Sequence, residues 1–409
     1  MAPAGVLAIT NAHIFPVTQP PVAKGTIVIR NGRIEAVGAN VTAPPGSTVI
    51  DAGGQEVYPG WISGRSTIGL SDPGVNGFAD GNEILDFNPQ LRPIVAFHND
   101  SEAIPVARAN GVTTVGLMPG GGVLGGQAAV MNLDGWTWEE STVNPSVGVT
   151  FQFPTIGSSG GFGGGGRGGG AANRSYDDLK NERDRKLDDL ARLLDQARAY
   201  AAAAGPRRQT DWILEALVPV VTRQQPFFVH ADRDSDIRDA AAFADRVSVR
   251  IVIVGGLEAP LVAGLLKEKS IPVILGPILT LPTREDASHA ATYQAAGELV
   301  RAGVKIAFTA GGVGDSANVR QLPYNAAESV AWGLPRDEAV KALTINAAEI
   351  LGVGDQLGSL EPGKMANLFV AKGDPLEVRT EITHVIINGR DVGLMNKHLA
   401  LYQRYLTRP

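Results

Sequence analysis

The 409-residue chain contains no cysteine. Thiolate metal sites, redox pairs and disulfides are therefore excluded. Histidine is nearly as scarce, with six copies: His13, His98, His230, His289, His384 and His398. Any zinc site would have to be assembled from those few imidazoles together with carboxylates. Positive charge is not in excess either, since 36 Lys and Arg against 42 Asp and Glu leave −6 at pH 7. Nucleic acid is not an expected partner for such a balance. No apolar run approaches the roughly 18 residues that span a bilayer, and residues 1–5 have neither a basic start nor a hydrophobic stretch. A soluble protein without a transmembrane segment is expected. A chain without thiols behaves alike in reducing and oxidising surroundings. The cytoplasm, or the periplasm or exterior after removal of a signal peptide, all stay open.

What the chain has in abundance is glycine, with 50 Gly beside 26 Pro, well above the roughly 12% of average usage for the two together. The fold should be rich in loops, and a hydrophobic fraction of 44% still supplies a large core. Residues 6–10, 25–30 and 33–38 read as short strands, and Asn31-Gly32 between the last two is the strongest short hairpin signal. A matching set lies at the other end, in residues 367–371 and 382–387 followed by Asn388-Gly389. The two ends are expected to combine into one sheet-rich domain.

Between them, β-rich apolar runs at residues 57–63, 112–118, 227–231, 250–255, 272–276 and 305–311 alternate with helical patterns at 237–246, 259–269, 290–302 and 336–351. That alternation favours an α/β fold with βα units around a parallel sheet or barrel, and about 300 residues suit a (β/α)₈ barrel with insertions. The expected division is a β-sandwich part over 1–56, a barrel over 57–354, a second β-sandwich part over 355–395 and a tail over 396–409. Within the barrel, an insertion at about 157–204 opens with a mostly glycine stretch, Gly157 to Gly170. It is expected to be a flexible solvated loop. A lid or phosphate cradle is the other reading, although no Gly-Lys-Ser/Thr follows as a P-loop requires. Tyr176, Leu179, Leu187, Leu190, Leu194, Ala197 and Ala201 then follow helical spacing, with a charged opposite face.

The segment Val57-Tyr58-Pro59-Gly60-Trp61-Ile62-Ser63-Gly64-Arg65 resembles the amidohydrolase superfamily, in particular its imidazolonepropionase-like branch. The likeness extends to Gly111-Val112-Thr113-Thr114-Val115, Gly125-Gly126-Gln127, Val229-His230-Ala231 and Asn346-Ala347-Ala348. Its most specific block is Leu357-Gly358-Ser359-Leu360-Glu361-Pro362-Gly363-Lys364-Met365-Ala366-Asn367-Leu368, which resembles the family's return from barrel to β domain. The resemblance implies a (β/α)₈ barrel flanked by a β-sandwich built from both termini. It also implies hydrolysis of amide, lactam or related C–N bonds by one or two divalent metals, which make hydroxide near neutral pH and polarise the carbonyl while a carboxylate moves the proton.

The ligands that the resemblance implies are largely replaced. The two histidines after the first barrel strand fall on Arg65 and Thr67, with Ser63 at the aspartate that precedes them. Arg65 keeps its proton in a protein and repels a divalent ion. On the fifth strand His230 matches. On the sixth, Gly255 stands at the histidine, and on the eighth, Gly311 stands at the aspartate. For the bridging residue of the fourth strand, Asn132 is the nearest polar candidate. A catalytic zinc wants about three protein ligands and an open position, so no metal cofactor is expected, and at most a weakly held zinc.

Other roles for these residues stay open. His230 is either a base in a metal-free reaction or a remnant hydrogen-bonded within the pocket. Arg65 either supplies the lost positive charge to an anionic ligand or pairs internally with Glu258 or Asp315. Asp315 is a displaced acid or a turn residue, and Gln127 a pocket contact or part of a glycine turn. His13, His384 and His398 are assigned no role, and His98 and His289 are expected on the surface. Three functions follow: a non-catalytic subunit assembling with itself or with an active amidohydrolase paralogue, a C–N hydrolase with a reduced or metal-free site, and a small-molecule binding protein using the barrel mouth.

Overall fold

The computed structural model describes residues 5–71, 81, 85–156, 175–203, 209–311, 315–406 and 408. The glycine-rich segment 157–170 lies outside the described residues.

The first sheet is assembled from both ends of the chain. Strands β1 (Val6–Ile14), β2 (Val22–Arg30), β3 (Arg33–Gly38), β4 (Thr48–Asp51) and β5 (Glu56–Pro59) come from the start. The barrel sheet follows with β6 (Trp61–Ser66), β7 (Val112–Leu117), β8 (Leu124–Asn132), β9 (Thr142–Gln152), β10 (Phe227–Ala231), β11 (Ile251–Gly255), β12 (Val273–Leu275) and β13 (Ile306–Phe308). Strands β14 (Leu368–Ala371), β15 (Ile382–Ile387) and β16 (Arg390–Asp391) return to the first sheet, whose order is β16-β15-β14-β5-β1-β2-β3 with β4 against β1. Both expected hairpins form, with Asn31 and Gly32 at φ 50° and 80° and Asn388 and Gly389 at 49° and 76°. These are the positive values a two-residue primed turn requires. The two turns meet, because a Cβ on Gly389 would lie 2.7 Å from the Gly32 Cα.

The barrel sheet runs β6 to β13 in chain order and curls until its edges approach. The Thr309 hydroxyl beyond β13 donates to the Arg65 carbonyl of β6 at 2.8 Å. Inside it lie Ile62, Ala128, Val130, Phe228, Val252, Val254, Ile274 and Ala307, closed from below by Ala347, Ala348 and Leu351. The alternate residues of the strands pack outward against the helices in a second, larger cluster, the two-residue period of a barrel wall.

Three expectations need correction. The run 57–63 is not one strand: β5 belongs to the first sheet and β6 to the barrel, with the change of sheet at Gly60. The barrel is not wholly parallel, because β8 runs antiparallel to both β7 and β9. Only six residues join β7 to β8, and a parallel crossover needs a dozen or more. The helix expected over 336–351 is two, Arg336–Leu343 and Ile345–Ile350, broken where Thr344 leaves helical geometry and its hydroxyl bonds back to the Val340 carbonyl at 2.6 Å. Within the expected tail, residues 397–406 form a helix whose Lys397 pairs with Glu102. The helix Tyr176–Ala202 forms as its spacing indicates. It opens with a capping box in which the Ser175 hydroxyl accepts from the Asp178 N–H at 3.1 Å.

Candidate functional site

Strands β9 to β13 are mutually parallel, so their C-terminal ends open on one mouth, where barrels of this kind carry their chemistry. In register, Gln152 of β9 stands opposite His230 of β10. His230 shares its face with Phe228, which lies in the barrel interior. Its Nε2 is buried and has no hydrogen-bond partner among the described residues. Burial, reinforced by the nearby Arg65 guanidinium, pushes the His230 pKa down to about 3. The imidazole is therefore neutral at physiological pH.

Arg65 follows the buried Ile62-Ser63-Gly64 segment of β6. Its Nη1 donates to the Gly311 carbonyl at 3.4 Å, and the Ser63 hydroxyl donates to the Arg65 carbonyl at 2.8 Å. Arg65 thus links the ends of the first and eighth strands, and its charge reaches across the mouth to His230 and Asp232. Thr67 begins the turn beyond β6, its carbonyl accepting from the Leu70 N–H at 2.9 Å.

Gly255 ends β11 at φ +94°, where side chains are disfavoured. A Cβ there would fall 2.4 Å from Asp232 Oδ1. Asp232 was not anticipated from the sequence. It keeps open surface yet is surrounded by protein on most sides, as a group in a concave mouth is. Burial raises its carboxyl pKa, Asp236 and Glu258 add to the rise, and the Leu257 N–H and Arg65 oppose it.

Glu258 is buried and committed elsewhere. It accepts from the Asp234 N–H at 3.0 Å and from the Thr283 hydroxyl, and pairs with Arg284 Nε at 3.1 Å. The pairing of Arg65 with Glu258 is thus corrected: Arg284 is the partner. Gln127 is also relocated, from a loop to β8. There it shares a face with Ala129 and Met131 of the outer cluster, so it points away from the mouth. Asn132 lies at the opposite end of β8, bonded to Thr114 (3.1 Å) and Asn367 (2.7 Å) beneath the barrel, because β8 is antiparallel. Gln152 takes the fourth-strand place beside His230. Asp315 opens the short turn Asp315–Ala317, and its side chain is outside the described part of the structure.

Among the described residues, no group of three or more His, Asp or Glu side chains is disposed to hold a metal ion. Among the described residues, the donors at the mouth do not fit a divalent ion. One imidazole stands beside a fixed guanidinium, and the Gly255 and Gly311 positions offer no side chain.

Residues 229–392 match the model of the amidohydrolase family, and this stretch is an amidohydrolase-family domain. An amidohydrolase from Thermotoga maritima MSB8 has the same architecture at 28% identity and a TM-score of 0.81, covering 95% of this chain and 99% of the other. Molinate hydrolase (18% identity, TM-score 0.57, covering 96% and 95%) and a zinc-bound adenosine deaminase from Xanthomonas campestris (16%, 0.53, covering 98% and 97%) share the fold. No curated protein matches the sequence. No helix among the described residues is long and apolar enough to cross a membrane.

Proposed function

We propose that this chain is an amidohydrolase-like protein whose metal centre has been lost, a non-catalytic subunit that assembles with itself or with an active amidohydrolase paralogue. The Leu357–Leu368 motif supports a place in the imidazolonepropionase-like branch. The observation that carries the reading is at Gly255. The strand-six ligand has not simply been deleted: the backbone has taken a conformation unfavourable to any side chain, and the Asp232 carboxylate occupies the space a Cβ would need. Arg65, holding positive charge where an imidazole would bind a metal, supports the same reading.

The deciding measurement is metal content of protein made in metal-supplemented medium. Well under one equivalent of zinc, nickel or manganese per chain is expected, and near-stoichiometric metal would overturn the proposal. Native mass after pull-down at natural expression tests the partnership, and a homo-oligomer or an intact-ligand paralogue in the assembly is expected.

The His230 Nε2, without a partner among the described residues, favours a second reading, a small-molecule binding protein using the mouth. A buried polar atom without a partner costs about 1–3 kcal/mol, and a ligand's polar group would offset that. On this reading His230→Leu abolishes binding of the ligand, while unchanged binding excludes His230 as a contact.

A further inference from the structure

At the opposite end of the barrel from the mouth, where the strands begin, an open groove of about 1130 Å³ runs beneath β9 to β13. Its charge is lopsided. Five cationic side chains, Arg223, Arg250, Lys267, Lys269 and Lys305, face two carboxylates, Asp245 and Glu349, in a chain that is net acidic. Lys269 is paired with Asp245 at 2.6 Å, and Lys305 with Glu349. The other three have no carboxylate partner among the described residues, and Arg250 reaches only the Gln224 carbonyl, at 3.0 Å.

Backbone conformation singles out the same groove. Among the described residues seven non-glycine positions have positive φ. Three are asparagines, which tolerate that region, and one is Val17. The remaining three are Arg223 (φ 61°), Ser248 (52°) and Ser270 (52°), and all three line the groove. Each is the turn residue between a helix and the next strand, before β10, β11 and β12. Before β13 the corresponding residue is Gly303, at φ 78°, the residue type that meets this geometry without strain. Lys267 fills the space left there, its Nζ 3.1 Å from where a Gly303 Cβ would sit. Three successive units thus hold a polar side chain where glycine would be more stable. Strain of this kind persists where it serves a function. With strands about 4.8 Å apart, these three groups lie along an arc of roughly 10 Å.

We propose that this groove binds a small polyanion carrying two or more phosphate or carboxylate groups. The Arg223 and Arg250 guanidiniums are forks suited to such oxygens, Lys267 adds a point charge, and the Ser248 and Ser270 hydroxyls donate between them.

Calorimetric titration of the full-length protein with inorganic pyrophosphate, ADP and citrate tests the proposal. Binding of pyrophosphate or ADP assigns a phosphate ligand, and binding of citrate alone assigns a carboxylate. Arg223→Gly is the informative variant, because it installs the residue its backbone prefers. It should weaken binding at least tenfold while the thermal midpoint stays level or rises, so lost affinity is not lost fold. Lys267→Gln should weaken binding in the same way. No binding of any of the three probes, or an affinity unchanged in both variants, would overturn the proposal.

Discussion

Gly255→Ala probes the mouth most directly, and its cost can be worked from the structure. Gly255 cannot relax its backbone freely: its carbonyl accepts from the Gly276 N–H at 3.1 Å, and the Gly256 N–H donates to the Ala231 carbonyl at 3.0 Å. Holding alanine in the left-handed region costs about 1–2 kcal/mol. The new Cβ, 2.4 Å from Asp232 Oδ1, must also displace that carboxylate from the Leu257 N–H it accepts, a loss of about 1 kcal/mol. The total is about 2–3 kcal/mol, or roughly 1 M in urea midpoint for a large domain. Asp232→Ala in the Gly255→Ala background should recover the contact part and leave the backbone part, a coupling of about 1 kcal/mol in a double-mutant cycle. A Gly255→Ala cost below about 0.5 kcal/mol, or a coupling of zero, would refute the claim that Asp232 fills the ligand's place.

Acid should weaken the fold through His230. Its folded pKa, about 3, lies below the ordinary value of 6.5, so the unfolded chain takes up a proton that the folded chain refuses. Stability is fully present above about pH 6.5 and declines as pH falls toward 3, by up to a few kcal/mol. His230→Leu should flatten that part of the urea-midpoint profile, and an unchanged slope would mean the imidazole is solvated. At the other end of the barrel, Asn367 donates to Thr114 (3.0 Å) and Asn132 (2.7 Å) and accepts from the Asn388 N–H (2.8 Å). Asn367→Ala should therefore cost about 2–3 kcal/mol at roughly 1 kcal/mol per lost bond, read as a lowered urea midpoint, and a cost near zero would mean water replaces the amide.

The parts of the fold legible in the sequence are those fixed by local chemistry. Asn31-Gly32 and Asn388-Gly389 determine their own turns, and β10 announces itself as a short apolar run. Strands β8 and β9 were not legible, because Gly125 and Gly126 read as a turn whereas the antiparallel pairing draws them into a strand. The ligand places given to Arg65, Thr67, Gly255 and Gly311 are what the resemblance to the amidohydrolase motifs implies. Asp232 could not be found that way, since its importance lies in the missing Cβ of a residue on the next strand. Gln152 is separated from His230 by a long insertion, and only strand register brings them together. Arg284 was missed for the same reason: it lies 26 residues from Glu258, across a loop without periodic pattern.

The meeting of the Gly32 and Gly389 turns bears on how the protein is made. Strand β5 pairs with β1 on one side and with β14 on the other, so the sheet begun by β1 to β5 stays open at β5 until more than 300 further residues have been synthesised. An unpaired strand edge is a template for wrong pairing, and contacts this distant in sequence form slowly. During synthesis the half-built sheet is the part of the chain most exposed to aggregation. A fragment ending before β14 should need a chaperone that the full chain does not.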